Sequence, residues 1–413
     1  MNRALRRRVV SNYPVEAYAE PTSFCNLRCP ACPTGLRLGE RTSAAVDENL
    51  FRAVMDEIGD YVFLLWMYNW GEPLLHKQTP ELIRYAKGKD LKVILSSNLS
   101  VRLTDDYVER LVLSGLDTLI VGLDGVTEET YKKYRVNGNF RLVRENMVRI
   151  REAKARLRSP TPHVLWQFLV FRHNEDEIAE ALAVHKQWGA DSIKISPAEM
   201  PLAPYDEGFE PAADPQYNMY HGDNQLAREA ERQLAGGRPC SWLYGTFVLN
   251  PNGKVSPCCG TSAEANDFGE YAAGGDFLRV WNNEKFRRAR GLFARKARPP
   301  GRRLGEKEKE EIIKRVDGMA MGVNHALTGG QLICHKCPIP FRQQDVDITI
   351  LNASYELFHA FVHEPSPLRK LRCLLAYLLM GAPYWRRIGR EGVLKALGRV
   401  PPNEAPAGRE LAA

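Results

Sequence analysis

Between residues 15 and 195, short apolar runs alternate with longer stretches whose apolar positions recur every three or four residues. The runs predict strands at residues 15–20, 61–68, 91–96, 118–123, 163–171 and 192–196. The periodic stretches predict helices at 47–58, 79–87, 104–113, 140–155 and 175–188, and Thr104-Asp-Asp-Tyr has the composition of a helix start. Several runs are almost continuously apolar, as in parallel strands buried on both faces. Six strand–helix units in succession predict an α/β fold, with a parallel sheet closed part-way into a (β/α)6 TIM-like barrel. Barrels of this kind carry their chemistry in the loops that follow the strands.

The pattern changes after residue 196. Residues 197–215 are rich in proline and acidic residues and read as a linker, and 223–235 read as a helix. Phe247-Val-Leu-Asn-Pro-Asn252-Gly253-Lys-Val-Ser-Pro-Cys258-Cys259 reads as a β-hairpin with Asn-Gly at its turn. Residues 277–293 predict a helix, and the run Glu306-Lys-Glu-Lys-Glu-Glu within 301–315 predicts a solvated helix face. These shifts divide the chain into a basic arm at 1–14, the barrel at 15–200, and a linker and helix at 201–238. A small cysteine-bearing domain at 239–345, a helical region at 346–400 and a disordered tail at 401–413 follow.

Composition narrows the class. The chain has 413 residues, 44% apolar and 26% charged, as in an ordinary globular protein. Its net charge of +7 is spread along the chain; it suits an acidic substrate or a membrane surface and does not call for nucleic acid. Nine cysteines are too few for a disulfide scaffold, and their clustering points to metal sites in a reducing, cytoplasmic compartment. The basic N-terminus lacks the apolar core and cleavage site of a secretory signal. No apolar run reaches the length of a membrane span. Residues 368–400 hold eight Lys or Arg against one acid, Glu391, with Tyr384 and Trp385 between the basic halves. That segment reads either as peripheral contact with an anionic membrane or as a helix docked on the barrel.

The candidate chemistry begins directly after the first predicted strand, at Pro21-Thr-Ser-Phe-Cys25-Asn-Leu-Arg-Cys29-Pro-Ala-Cys32. Three thiolates at Cys-x3-Cys-x2-Cys spacing can turn onto one metal centre, and soft sulfur selects iron–sulfur clusters, zinc or copper(I). Three cysteines leave a four-iron cluster one open iron, whereas structural zinc takes four ligands. A zinc knuckle with a distant fourth ligand, or three unrelated buried thiols, are the alternatives on spacing alone.

With this loop, the chain resembles the radical SAM superfamily over roughly residues 15–338. In that family the open iron of a [4Fe-4S] cluster chelates S-adenosyl-L-methionine. Reductive cleavage then gives a 5′-deoxyadenosyl radical that takes hydrogen from substrate. The electron comes from a reductase such as flavodoxin or ferredoxin. The resemblance makes Cys25, Cys29 and Cys32 the cluster ligands and catalytic centre. Further cofactor contacts follow by motif. Trp70-Gly71-Glu72-Pro73 resembles a Gly-Gly-Glu-Pro segment, with Trp70 in place of the first glycine. Asn98 lies in a Thr-Asn-Gly-like position, with Leu99 replacing the glycine. Gly122-Leu-Asp124-Gly resembles a Ser-Leu-Asp-Gly segment, with Gly122 replacing the serine. Arg135 matches an arginine that pairs with the cofactor carboxylate, a group a guanidinium suits. Ala31 stands where many members carry an aromatic residue near the adenine.

Downstream, the Cys240…Gly253-x4-Cys258 pattern resembles the front of the SPASM auxiliary-cluster domain. Only Cys334-His-Lys-Cys337 follows, which implies one auxiliary [4Fe-4S] cluster on Cys240, Cys258, Cys334 and Cys337, with Cys259 as a neighbour or alternative ligand. A structural zinc site is the competing reading of the same four cysteines. Similar enzymes act as dehydrogenases or epimerases of sugars and aminocyclitols, and the expected substrate is a small molecule of that class or a glycolipid. Peptide modification is the second enzymatic reading. A non-enzymatic, metal-stabilised interaction protein is the third. Gln167, Arg172 and Lys194 are candidates for substrate contact.

Overall fold

One sheet runs through the chain and gathers both of its described halves. The structure is a computed structural model that describes residues 7–37, 41–198, 210–218, 240 and 242–292. All of these lie in one compact unit, Asn2–Arg342. The expected helical region at 346–400, its basic segment, the tail, and Cys334 and Cys337 lie outside the described residues.

The first six strands are β1 (Glu16–Ala19), β2 (Leu64–Trp66), β3 (Lys92–Ser97), β4 (Thr118–Gly122), β5 (His163–Val170) and β6 (Ser192–Pro197). Each is parallel to the next, so they lie in chain order across the sheet. Between them run α1 (Glu48–Ile58), α2 (Thr79–Lys87), α3 (Asp105–Leu113), α4 (Glu128–Tyr134), α5 (Phe140–Arg156) and α6 (Ile178–Val184). The helix starts are capped by side chains whose oxygens take up orphan N–H groups. Asp47 accepts from Asn49 and Leu50, and Thr104 from Tyr107. Helix α1 then turns Phe51, Val54, Met55 and Ile58 onto the sheet, the i, i+3, i+4, i+7 stripe of an amphipathic helix.

β1 is buried on both faces at Ala17, Tyr18 and Ala19, but β3 and β5 are not, against what their apolar runs predicted. In β3, Val93, Leu95 and Ser97 are buried while Lys92, Ile94 and Ser96 are half-exposed, and β5 alternates in the same way. The buried face packs against the helices, with Ala17, Leu65, Val93, Leu95, Leu119, Val121, Val164 and Trp166 all in one apolar core. The other face is left open, as the inside of an unclosed barrel must be if it is to receive ligands. Register places Gly122 of β4, Gln167 of β5 and Lys194 of β6 side by side in one row on that face.

Beyond β1 the sheet continues with β7 (Thr246–Leu249), parallel to β1, and then antiparallel β8 (Lys254–Ser256) and β9 (Gly269–Glu270). The expected hairpin is therefore β7–β8, and it extends the barrel sheet. Its turn closes with Gly253 donating to the Asn250 carbonyl at 3.0 Å, and Gly253 has a φ of 81° that favours glycine. Helix α7 (Trp242–Gly245) leads into β7. The predicted helix at 277–293 is two helices, α8 (Phe277–Trp281) and α9 (Glu284–Leu292). Asn282 ends the first by bonding the backbone of Val10, and Asn283 accepts from Phe286 at the start of the second. The predicted helix at 175–188 is shorter too: a 3-10 turn at Glu175–Glu177 and then α6.

Candidate metal centre

The loop after β1 folds back on itself. Cys32 N–H donates to the Cys29 carbonyl at 3.2 Å and Leu36 N–H to the Cys32 carbonyl at 2.8 Å. Gly35 makes the fold possible, because a Cβ there would sit 2.3 Å from the Cys29 oxygen. The base of the loop is zipped by Ser23 and Thr22 donating to the Ala44 carbonyl at 3.0 and 3.1 Å. Cys29 lies in a small apolar cluster with Leu27, Tyr134, Phe171 and Ala198, against which Cys25, Ala31 and Cys32 pack. No disulfide joins the six described cysteines.

Burial pushes the Cys25 thiol up to about 12 and the Cys29 thiol up to about 11, and raises Cys32 as well. Metal binding would have to displace those protons. Donors wait at the sulfurs: Leu27 N–H at 3.4 Å and the Asn98 amide at 3.8 Å from Cys25 Sγ, and Arg135 Nη1 at 3.9 Å from Cys29 Sγ. Backbone N–H groups of Gly35 and Thr34 serve Cys32. Among the described residues, no three His, Cys, Asp or Glu side chains are set to hold a single metal ion. Thiolates that share one apolar shell and receive N–H donors fit an iron–sulfur cluster, whose irons each take their own thiolate.

The motif residues converge on this loop from two sides. On the Cys25 side, Gly71 lies against the loop backbone so closely that a Cβ would come 1.8 Å from the Thr22 oxygen. Glu72 N–H donates to the Phe24 carbonyl at 2.6 Å. The Glu72 carboxylate is turned into the protein, where it accepts from Ser97 Oγ at 2.7 Å, Leu74 N–H at 3.0 Å and Asn98 N–H at 2.7 Å. Burial raises its carboxyl, and those N–H bonds pull it back. Pro73 opens the 3-10 turn that follows. Asn98 in turn donates to Asn26 Oδ1 at 3.0 Å. Leu99, in the glycine-like position, has a φ of 53° and so keeps the left-handed backbone a glycine adopts easily, with its side chain fully buried.

On the Cys29 side, Arg135 ends α4 and its Nε donates to the buried carboxylate of Asp124 at 2.6 Å. Burial raises Asp124, with Arg135 pulling the other way. Leu169 N–H donates to Asp124 Oδ1 at 2.8 Å, which ties the pair to β5. The guanidinium is held inward by this carboxylate and is not a solvated helix-end charge.

Sequence reading missed Glu20, at the end of β1. Its Oε1 accepts from Trp70 and Gly71 N–H, both at 2.6 Å, and fixes the Gly71 segment beside the loop. An acidic residue closing the strand directly before the cysteine loop was the signal. In the second cysteine set, Cys258 is buried and its thiol pushed up to about 11, first by burial and then by Cys240. The charge of one expected ligand thus reaches the other. The charge of Cys259 acts on half-buried Tyr68.

Residues 19–194 match the radical SAM superfamily, and residues 240–304 match the SPASM iron–sulfur cluster-binding domain. The chain belongs to the radical SAM superfamily, is an enzyme of its S-adenosylmethionine and iron–sulfur chemistry, and carries a SPASM domain. It is 28% identical to the PqqA peptide cyclase of Gluconobacter oxydans over 266 residues, 59% of this chain and 70% of the relative. It is 25% identical to the AdoMet-dependent heme synthase of Methanosarcina barkeri over 226 residues, 54% and 62% of the two chains. Among solved structures, Streptococcus suis SuiB bound to S-adenosylmethionine shares the fold, with a TM-score of 0.51 at 15% identity over 70% of this chain and 69% of that one. Among the described residues, no helix is long and apolar enough to cross a membrane.

Proposed function

We propose that this enzyme modifies a peptide by radical chemistry. The observation that carries the reading is the likeness to peptide cyclases, several of which match the chain over more than half its length. Sequence motifs alone put a sugar, aminocyclitol or glycolipid first; the relatives reverse that order. When bound, a [4Fe-4S] cluster with S-adenosyl-L-methionine on its open iron supplies a radical able to take hydrogen from an unactivated carbon.

Cys25, Cys29 and Cys32 would hold that cluster. Leu27 N–H, the Asn98 amide and Arg135 donate to their sulfurs, which suits thiolate charge. Leu27, Tyr134 and Phe171 keep water from the thiol loop. Gly71 keeps the end of β2 within reach of the loop, and Glu72 holds Asn98 in place. Gln167 and Lys194, on the open face beside Gly122, would meet a substrate chain. Cys240 and Cys258, together with Cys334 and Cys337, would hold one auxiliary cluster. Four thiolates leave such a cluster closed, so it would take up an electron and leave substrate binding to the barrel.

The test is anaerobic turnover of the reconstituted enzyme with S-adenosylmethionine, a low-potential reductant and short peptides encoded beside its gene. Hydrogen loss from a peptide by mass spectrometry, matched by 5′-deoxyadenosine, supports the reading. 5′-Deoxyadenosine formed with an oxidised or epimerised sugar or aminocyclitol, and unchanged peptides, would overturn it.

A further inference from the structure

A buried ion pair joins the cysteine loop to the SPASM hairpin. Arg41 Nη1 and Nη2 donate to the two carboxylate oxygens of Asp267 at 2.7 and 2.9 Å, with side chains 7% and 3% exposed. The hairpin holds the acid: Ser256 Oγ donates to Asp267 Oδ1 at 2.5 Å, and Asn250 Nδ2 reaches the same oxygen at 3.5 Å. The loop holds the base: Arg41 directly precedes the residues zipped onto Thr22 and Ser23, the entry to Cys25. A second bond runs in parallel, from Thr42 N–H to Glu264 Oε2 at 2.9 Å.

The pair also bears on Glu20. That carboxylate is 2% exposed; one oxygen takes the Trp70 and Gly71 N–H groups, and the charges of Arg41 and Asp267 both act on it. Asp267 offsets Arg41. If the acid is removed, the buried guanidinium is left with Glu20 and Glu264 as counter-charges, and it can draw the Glu20 carboxylate, whose buried Oε2 has no hydrogen-bond partner among the described residues, away from the Trp70 and Gly71 N–H groups. We infer that the Arg41–Asp267 pair is a positioning device through which the SPASM hairpin sets the backbone at Gly71 against the cysteine loop, and so the affinity for S-adenosylmethionine. The inference rests on reading Cys25, Cys29 and Cys32 as ligands of the cofactor's cluster.

The test compares the anaerobically reconstituted parent with Asp267→Asn, Arg41→Lys and an Arg41→Met/Asp267→Leu double variant. Three quantities are measured: iron content, unfolding temperature and the dissociation constant for S-adenosylmethionine. The expected result is parental iron in all variants and a dissociation constant raised about tenfold in Asp267→Asn, the size of an ordinary coupling between sites. Arg41→Lys, which keeps the charge but not the paired N–H fork, shows a smaller rise. The double variant binds no more weakly than Asp267→Asn, because the two residues act as one unit. Lower unfolding temperatures with an unchanged dissociation constant would overturn the inference and leave the pair a structural brace. If Asp267→Asn does not fold, Arg41→Lys decides by the same two numbers. A parent that holds iron but does not bind S-adenosylmethionine would overturn the reading beneath it.

Discussion

Arg135 occupies the space that a side chain at position 122 would need. A Cβ on Gly122 would lie 2.5 Å from Arg135 Nη2 and 3.1 Å from its Cζ. The glycine that replaces a family serine on β4 therefore has a use in this chain: it lets the guanidinium lie over the strand end, between Asp124 and Cys29. A serine here would push the guanidinium off one partner.

Gly122→Ser is expected to fold, since the obstruction is the far end of a flexible side chain. It should weaken S-adenosylmethionine binding about tenfold, a loss on the scale of a displaced charged partner. Equilibrium binding to the reconstituted variant checks this. Affinity equal to the parent's would mean that Arg135 moves aside without consequence.

His173 predicts a pH effect on stability. Burial, with the nearby Lys133 charge adding to it, lowers its pKa from 6.5 to about 4, and its ring stacks on Phe171 beside the thiol loop. Below pH 6.5 the unfolded chain binds a proton that the folded chain refuses. The stability contributed by neutral His173 is therefore present above that pH and is lost as pH falls toward 4. In a His173→Gln variant the decline of unfolding free energy across this window should be shallower. Equal slopes in denaturant titrations of variant and parent would contradict the assignment.

The second cysteine set predicts an iron count. With both sites filled, the chain should carry about eight irons, and Cys240→Ala/Cys258→Ala about four. The variant should still cleave S-adenosylmethionine. One zinc and about four irons in the anaerobically purified parent would instead make the second site structural zinc.

Much of the fold was legible because βα units write their period into the sequence. The capped start at Thr104 and the Asn252-Gly253 turn lie where composition put them. What was not legible depends on tertiary contact. Apolar runs cannot tell two buried faces from one buried face and an apolar lining, so the open side of β3 and β5 was missed. The break between α8 and α9 comes from Asn282 reaching Val10, 272 residues away. At the site, the cysteine spacing alone left zinc and an iron–sulfur cluster open, and the resemblance to a family chose between them. Glu20, Arg41 and Asp267 carry no motif, and only folding brings them to the loop. Motif matching proposed Glu72 as a cofactor contact, and the structure turns its carboxylate onto Ser97 and Asn98.

The central claim is that Cys25, Cys29 and Cys32 hold the cluster at which S-adenosylmethionine is cleaved. The direct measurement is 5′-deoxyadenosine formed under dithionite by an anaerobically reconstituted Cys25→Ala/Cys29→Ala/Cys32→Ala variant, beside the parent. The account predicts product from the parent, and none from the variant, which keeps only the iron of its second site. 5′-Deoxyadenosine from the triple variant at the parent's rate would contradict it.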